Sequence, residues 1–405
     1  MNIKRKWSVP LAAVSTAALL LGMSGCSQEP AASGGEASGG DTGALKIGLV
    51  VDLSGVGSII GTPGKNVAEL AVEEINAAGG VNGQQVELII ADNGGEPQNT
   101  KTAATRLVES DHVSALFAPV DSASRDAAMP TVVDADIPFF YPTLTEGRVC
   151  EPYLFSTANT PQQQLQETIP MVQELEGKKK WFLVGNDYVY PRNSMDSAKE
   201  FIKAAGGEVV GEEYVPLGTT DFQAVISQIR NSDAELVLPV VVGADSVAFE
   251  KQAYDAGVGA NVLPRLTPGY DQNTIDALGP DIAAGMYVGM GYDMDLDTPE
   301  NKTFVDAYHA KFGASALAVT AFSVYVYAAI KAWAEAVAAT GSTALADVAK
   351  QIVGQVNQTP AGEVTILDNR YAQASIHLIK YSDGGQKEFL ETFPDVIPTE
   401  TCSVS

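Results

Sequence analysis

Short runs of aliphatic and β-branched residues alternate with segments of helical period along most of this chain, a pattern that builds a parallel sheet with helices on both faces. The first unit is well marked. Lys46 to Val51 reads as a strand, followed by the loop Asp52-Leu53-Ser54-Gly55-Val56-Gly57. A helix is expected to open at Thr62-Pro63, a capping side chain followed by proline in the first turn. Val67, Leu70, Ala71 and Ile75 recur at helical spacing, and Gly79-Gly80 stops the helix. Strands at Val86 to Ala91, Val113 to Phe117 and Phe139 to Tyr141, with helices over Thr100 to Glu109 and Arg125 to Asp134, complete a lobe of four strands.

The rhythm restarts near Pro161 and continues through strands at Trp181 to Gly185, Glu208 to Tyr214, Leu236 to Val242, Val262 to Leu266 and Met286 to Tyr292. Helices are expected between them at Ser194 to Ala205, Phe222 to Arg230 and Ser246 to Ala256. A helix rich in Ala and aromatics, Thr320 to Ala338, reads as a packing helix returning to the first lobe, and strand-like Glu363 to Leu367 and Ser375 to Tyr381 end the second. The length exceeds one ordinary core. Two lobes are therefore expected, residues 44–160 with 293–360 and residues 161–292 with 361–405, joined by three crossovers.

The N-terminal stretch carries a different message. Lys4-Arg5-Lys6, an apolar run from Val9 to Met23 and the small residues Ser24-Gly25 before Cys26 read as a bacterial lipoprotein signal over residues 1–25, with Met23 where Leu is usual. Cys26 is then the lipidated residue, and residues 26–43, rich in Gly, Ser and Ala, form a tether too poor in bulky side chains to fold. The apolar run is shorter than the ~20 residues of a spanning helix, and the body is expected outside the cytoplasm on a lipid anchor. The net charge of −25 becomes more negative once the three basic residues of the signal leave, which argues against nucleic acid as a partner. With Cys26 given to lipid, Cys150 and Cys402 are left as a pair in an oxidising compartment, and a disulfide between them is expected.

Enzyme motifs fall short. Gly55-Val56-Gly57 begins like a dinucleotide loop, but Ile60 stands where a third glycine belongs, and Gly64-Lys65-Asn66 lacks the hydroxyl of a phosphate loop. His112, His309 and His377 have no metal-spaced neighbours, and no Gly-x-Ser-x-Gly elbow occurs. Neither catalysis nor a cofactor is indicated.

The informative residues lie at the carboxyl ends of strands, where open α/β sheets bind ligands. Ser122-Ala123-Ser124-Arg125, Tyr141-Pro142-Thr143 with Glu146-Gly147, and Gly185-Asn186-Asp187-Tyr188-Val189-Tyr190-Pro191-Arg192 all occupy such ends. Together with Asp92 to Pro97, Glu213 to Gly218 and Asp297 to Asn301, these segments resemble the amide- and urea-binding branch of the type I periplasmic binding proteins, kin to the branched-chain amino-acid binders. The resemblance runs from about residue 45 to 400. It implies a two-lobed receptor that feeds an ABC permease and its ATPase subunits, with a small polar ligand in the cleft. It also implies ligand contacts from Ser122, Tyr141 and Thr143 in the first lobe and from Tyr188, Tyr190 and Asp245 in the second. Thr145 departs from the tyrosine of many urea and amide members, and Ala118-Pro119-Val120-Asp121 lacks the aromatic of the urea members. Tyrosine and threonine hydroxyls suit an amide, whose groups both donate and accept. An amino acid is the alternative, with Asp245 facing its ammonium group. Asp245 is equally readable as a helix cap, Tyr188 and Tyr190 as sheet-edge packing, and Arg125 as a salt-bridge residue. A ligand sensor and an extracellular amide hydrolase are the rivals from other classes, the first lacking an output domain and the second a nucleophile.

Overall fold

A computed structural model describes residues 43–398 and residue 404, and the signal, Cys26, the tether up to residue 42 and Cys402 lie outside the described residues. The chain opens as βα units: β1 (Leu45–Val51), α1 (Ser58–Ala77), β2 (Val86–Asp92), α2 (Pro97–Thr105), β3 (Leu116–Phe117), α3 (Ser122–Ala135), β4 (Phe139–Tyr141) and β5 (Leu154–Ser156). These strands form one parallel sheet in the order β2-β1-β3-β4-β5. Five strands stand where four were expected. β5 is three residues flanked by loop, too short to show a period.

The helix α1 also starts earlier than the Thr62-Pro63 cap suggested. The Asp52 carboxylate accepts the N–H groups of Gly55 at 2.6 Å and Gly57 at 2.7 Å. The turn is thereby satisfied from upstream, and α1 begins at Ser58 without a side-chain cap of its own. Pro63 sits inside the helix. Gly61 passes so close to the Asp52 carbonyl that a Cβ would have no room.

The second lobe contains α4 (Pro161–Gln166), α5 (Thr168–Glu176), β6 (Lys180–Asn186), α6 (Val189–Ala204), β7 (Glu208–Val215), α7 (Gln223–Asn231), β8 (Leu236–Val240), α8 (Ala244–Asp255), β9 (Arg265–Thr267), α9 (Gln272–Leu278), α10 (Pro280–Ala283) and β10 (Met286–Met290). The chain then gives α11 (Pro299–Phe312), α12 (Val324–Thr340) and α13 (Leu345–Ile352), of which α11 and α12 pack on α1 of the first lobe. It finishes in β11 (Val356–Thr359), β12 (Gly362–Ile366), β13 (Ala372–Ser382) and β14 (Gln386–Val396). The second sheet runs β11-β12-β13-β10-β9-β8-β6-β7 with β14 paired to β13. It is parallel from β7 to β10 and antiparallel from β13 outward. β11 pairs with β12 in this sheet, although the 293–360 stretch that holds it was expected in the first lobe.

The chain passes between lobes at 157–160, 291–298 and 353–355. At the first two passages Asn159 accepts a hydrogen bond from the Tyr325 hydroxyl at 2.8 Å, and Gly291 packs against both groups with no space for a side chain. Cys150 is disulfide-bonded, and both other cysteines of the sequence lie beyond the described residues.

Candidate functional site

The carboxyl ends of both sheets face each other across a cavity of about 40 Å³. That is room for roughly three water molecules. The first sheet contributes the residues that follow its strands: Asp52 after β1, Asn93 after β2, Asp121 after β3, and Thr143 with Leu144 after β4. The second sheet contributes Tyr188 after β6, Leu217 after β7, and Val242 with Gly243 after β8. At the rim the lobes touch directly, where the Ala244 N–H donates to the Val56 carbonyl at 3.3 Å.

Most polar groups of the first-lobe wall are already engaged. Asp121 caps α3 by accepting the N–H and the hydroxyl of Ser124 at 3.0 and 2.8 Å. Asn93 donates to Thr100 Oγ1 at 2.8 Å and accepts the Gly95 N–H at 3.1 Å. Two hydroxyls differ. Thr143 Oγ1 and the Tyr188 phenol are buried with no hydrogen-bond partner, and they come from opposite lobes. Such groups cost stability unless something bonds to them. Burial, with the Asp121 carboxylate adding to it, raises the Tyr188 phenol well above its ordinary value of 10, so it stays a donor.

The other residues expected to meet a ligand have partners within their own lobes. Ser122, at the start of α3, donates its hydroxyl to Glu146 at 2.8 Å. Arg125 completes that cluster with a bidentate pair to Glu146 at 2.8 and 2.6 Å, both side chains being 1% exposed, and its guanidinium lies 5.0 Å over the Tyr141 ring. Tyr141 donates to the Leu144 carbonyl at 3.2 Å. Leu144, Gly147 and Arg148 all take positive φ, so this loop makes a tight turn that the buried ion pair braces from behind. Tyr190 stacks on Tyr188 and donates to the Pro268 carbonyl at 3.3 Å, inside the second lobe. Asp245 accepts from Asn186 at 2.9 Å and from the Gly218 N–H at 2.8 Å, and it is absent from the cavity lining.

Of the six expected contacts the structure therefore brings Thr143 and Tyr188 into the cavity wall. It adds Asp52, Asp121 and Leu217, which motif reading had not marked as ligand contacts. Their position in the segments that follow strand ends, Asp52 directly after β1, Leu217 two residues and Asp121 four residues beyond theirs, was the available clue.

Residues 44–386 match the family described as periplasmic binding protein. The chain belongs to that family. Leu/Ile/Val-binding protein homolog 8 of Brucella abortus is 30% identical over 286 residues, covering 66% of this chain and 70% of that protein. Homolog 7 of Brucella suis is 27% identical over 323 residues, covering 75% and 76%. Among solved structures, a periplasmic binding protein from Burkholderia mallei superposes with a TM-score of 0.81 at 20% identity, covering 89% of this chain and 98% of that one. The branched-chain amino acid transporter substrate binding protein LivJ of Streptococcus pneumoniae, in complex with isoleucine, gives 0.77 at 25% identity, with coverages of 87% and 99%. The fold is thus the two-lobed one of these periplasmic binding proteins, and the chain is a substrate-binding protein of the ABC-transporter type. Such a protein works outside the cytoplasm, holds a small molecule and hands it to a transporter. Among the described residues no helix is long and apolar enough to cross a membrane.

Proposed function

We propose that this periplasmic binding protein captures urea or a short-chain amide between its lobes and presents it unchanged to an ABC importer, held to the membrane by lipid on Cys26. The observation that carries the reading is the pair of unpartnered buried hydroxyls, Thr143 and Tyr188, facing one small cavity from opposite lobes. An amide offers both a carbonyl acceptor and N–H donors, and a hydroxyl from each lobe can meet one of each. The nearby carboxylates of Asp52 and Asp121 favour N–H donors, and among the described lining residues none is Lys or Arg to neutralise an anion. A guest bonded to both lobes stabilises the closed form by its differential affinity, which is hinge closure. No bond need be made or broken.

A second reading is an amino-acid ligand. The names of the Brucella relatives and the isoleucine in the Streptococcus pneumoniae structure favour it. So does the aliphatic wall of Val56, Ile60, Val120 and Val242. A thermal-shift and calorimetric panel of urea, acetamide, propionamide, polar amino acids and branched-chain amino acids separates the two. Saturating urea or amide should raise Tm by several degrees, since a ligand at about 100 Kd adds ~2.7 kcal/mol. A shift with amino acids alone installs the second reading, and recovery of a hydrolysed amide would end both.

A further inference from the structure

Three loops of the second lobe reach the cavity, and one buried pair of side chains ties all three. Asn186, at the end of β6, is fully buried. Its side-chain carbonyl accepts the Val242 N–H at 2.9 Å, and its amide donates to Asp245 Oδ2 at 2.9 Å. The same Oδ2 accepts the Gly218 N–H at 2.8 Å from the loop after β7. Asp245 is 3% exposed, in the first turn of α8. The pair thus joins the segments that carry Tyr188, Leu217 and Val242 to the cavity, while neither member lines it. Leu217 has a double character: it lines the cavity and is 40% exposed. A side chain wet on one side and facing the cavity on the other is the partition between guest and solvent. Its backbone neighbour Gly218, at φ +88°, is the atom group that Asp245 grips.

We propose that Asn186 and Asp245 are positioning residues for the second-lobe wall and that Leu217, seated by them, sets the longest ligand the closed cavity accepts. The statement about Leu217 rests on reading this cavity as the ligand site. The statement about the pair does not. Because one oxygen of Asp245 accepts from both Asn186 and Gly218, an asparagine can keep those two bonds without the charge, giving up at most the further bond from the Thr219 N–H, whereas an ammonium-binding role would need the charge.

The test uses the mature chain with its disulfide intact. Asp245→Ala should weaken urea or amide binding at least tenfold in calorimetry, and Asp245→Asn should recover most of that loss. Equal loss in both variants would make the charge, and hence a ligand contact, the role of Asp245, and would overturn the proposal. Hydrogen exchange on the unliganded protein gives a readout that needs no ligand and no loss of fold. Asp245→Ala should raise exchange at residues 216–219 while the strands of the second sheet stay protected, and unchanged exchange there overturns the positioning role. For Leu217, the probes are urea, acetamide and butyramide, with alanine, valine and leucine as the parallel series. Leu217→Ala should shift preference toward the longer member of whichever series binds by fivefold or more, and Leu217→Trp should shift it back. An unchanged length preference in both variants overturns the role of Leu217 and leaves the proposed function standing. If no probe binds the wild type, the proposed function and the Leu217 assignment fall together, and the exchange result alone decides the pair.

Discussion

Two side chains separate the proposed ligand chemistry from the scaffold. Thr143 and Tyr188 each keep a buried hydroxyl without a partner, so removing either oxygen relieves an unmet polar group in the empty protein. Thr143→Val and Tyr188→Phe should therefore leave the empty protein's Tm unchanged or slightly higher. Each should weaken ligand binding about five- to tenfold, the value of one hydrogen bond of ~1–1.5 kcal/mol, as calorimetry checks. A drop in Tm with unaltered affinity would show that both hydroxyls serve the fold. Both residues were expected from the family resemblance, and each lies two residues beyond the end of a strand. Ser122, Tyr141, Tyr190 and Asp245 were legible as residues near the site, but which way Ser122, Tyr190 and Asp245 turn depends on partners far along the chain, while Tyr141 is held by the Leu144 carbonyl three residues on. Glu146 lies 24 residues from Ser122 and Pro268 lies 78 from Tyr190, distances no local pattern reports.

Among the elements, the loop after β4 and the strand β13 each carry a buried ionisable group with a consequence that can be measured. Glu146 neutralises Arg125 where both are 1% exposed. Glu146→Ala strips the guanidinium of its buried partner but leaves its bonds to Asp126 at 2.9 and 2.7 Å, and should cost about 1–3 kcal/mol of unfolding free energy, read as a lower denaturant midpoint. On β13, His377 bonds Thr392 through Nδ1 at 2.9 Å, while its buried Nε2 has no partner. Burial pushes this imidazole below its ordinary value of 6.5, with the Asp293 carboxylate working against the shift. The unfolded chain then takes up the proton first as pH falls through about 6.5, so the fold loses stability on the acid side. Thermal melts at pH 7.5 and 5.5 should show the wild type losing more than His377→Gln over that interval; parallel losses would assign the acid sensitivity elsewhere. The periodic elements were readable because their apolar spacing is local. α11 and β14 were missed as elements: α11 hides behind Asp297 to Asn301, which reads as a loop motif, and β14 is a mostly exposed strand with little alternation of burial.

At the scale of the molecule, the closure proposed above has to run through passages that have little room to spare. Gly291 lies against Asn159 and the Tyr325 hydroxyl where two of the connections between lobes meet. Gly291→Ala should force these connections apart and favour an open form. Ligand affinity should fall at least tenfold, and small-angle scattering of the liganded protein should show a larger radius of gyration. Wild-type affinity and radius would mean that the crossing adapts without opening. The two-lobed plan itself followed from the restart of the βα rhythm near Pro161. The placement of β11 in the second sheet did not, because four residues with no clear alternation pair by register rather than by pattern.

The contact between the Val56 carbonyl and the Ala244 N–H has a cost for the cell as well as a benefit for the fold. Every bond that the two jaws form with each other favours shutting on nothing, which under the proposed function would spend an importer's fuel without cargo. At 3.3 Å this one sits at the long end of backbone hydrogen bonding. A weak latch of that kind adds little to shutting on its own, so under the proposed function the cargo has to contribute to the closing force, which would tie fuel consumption to delivery.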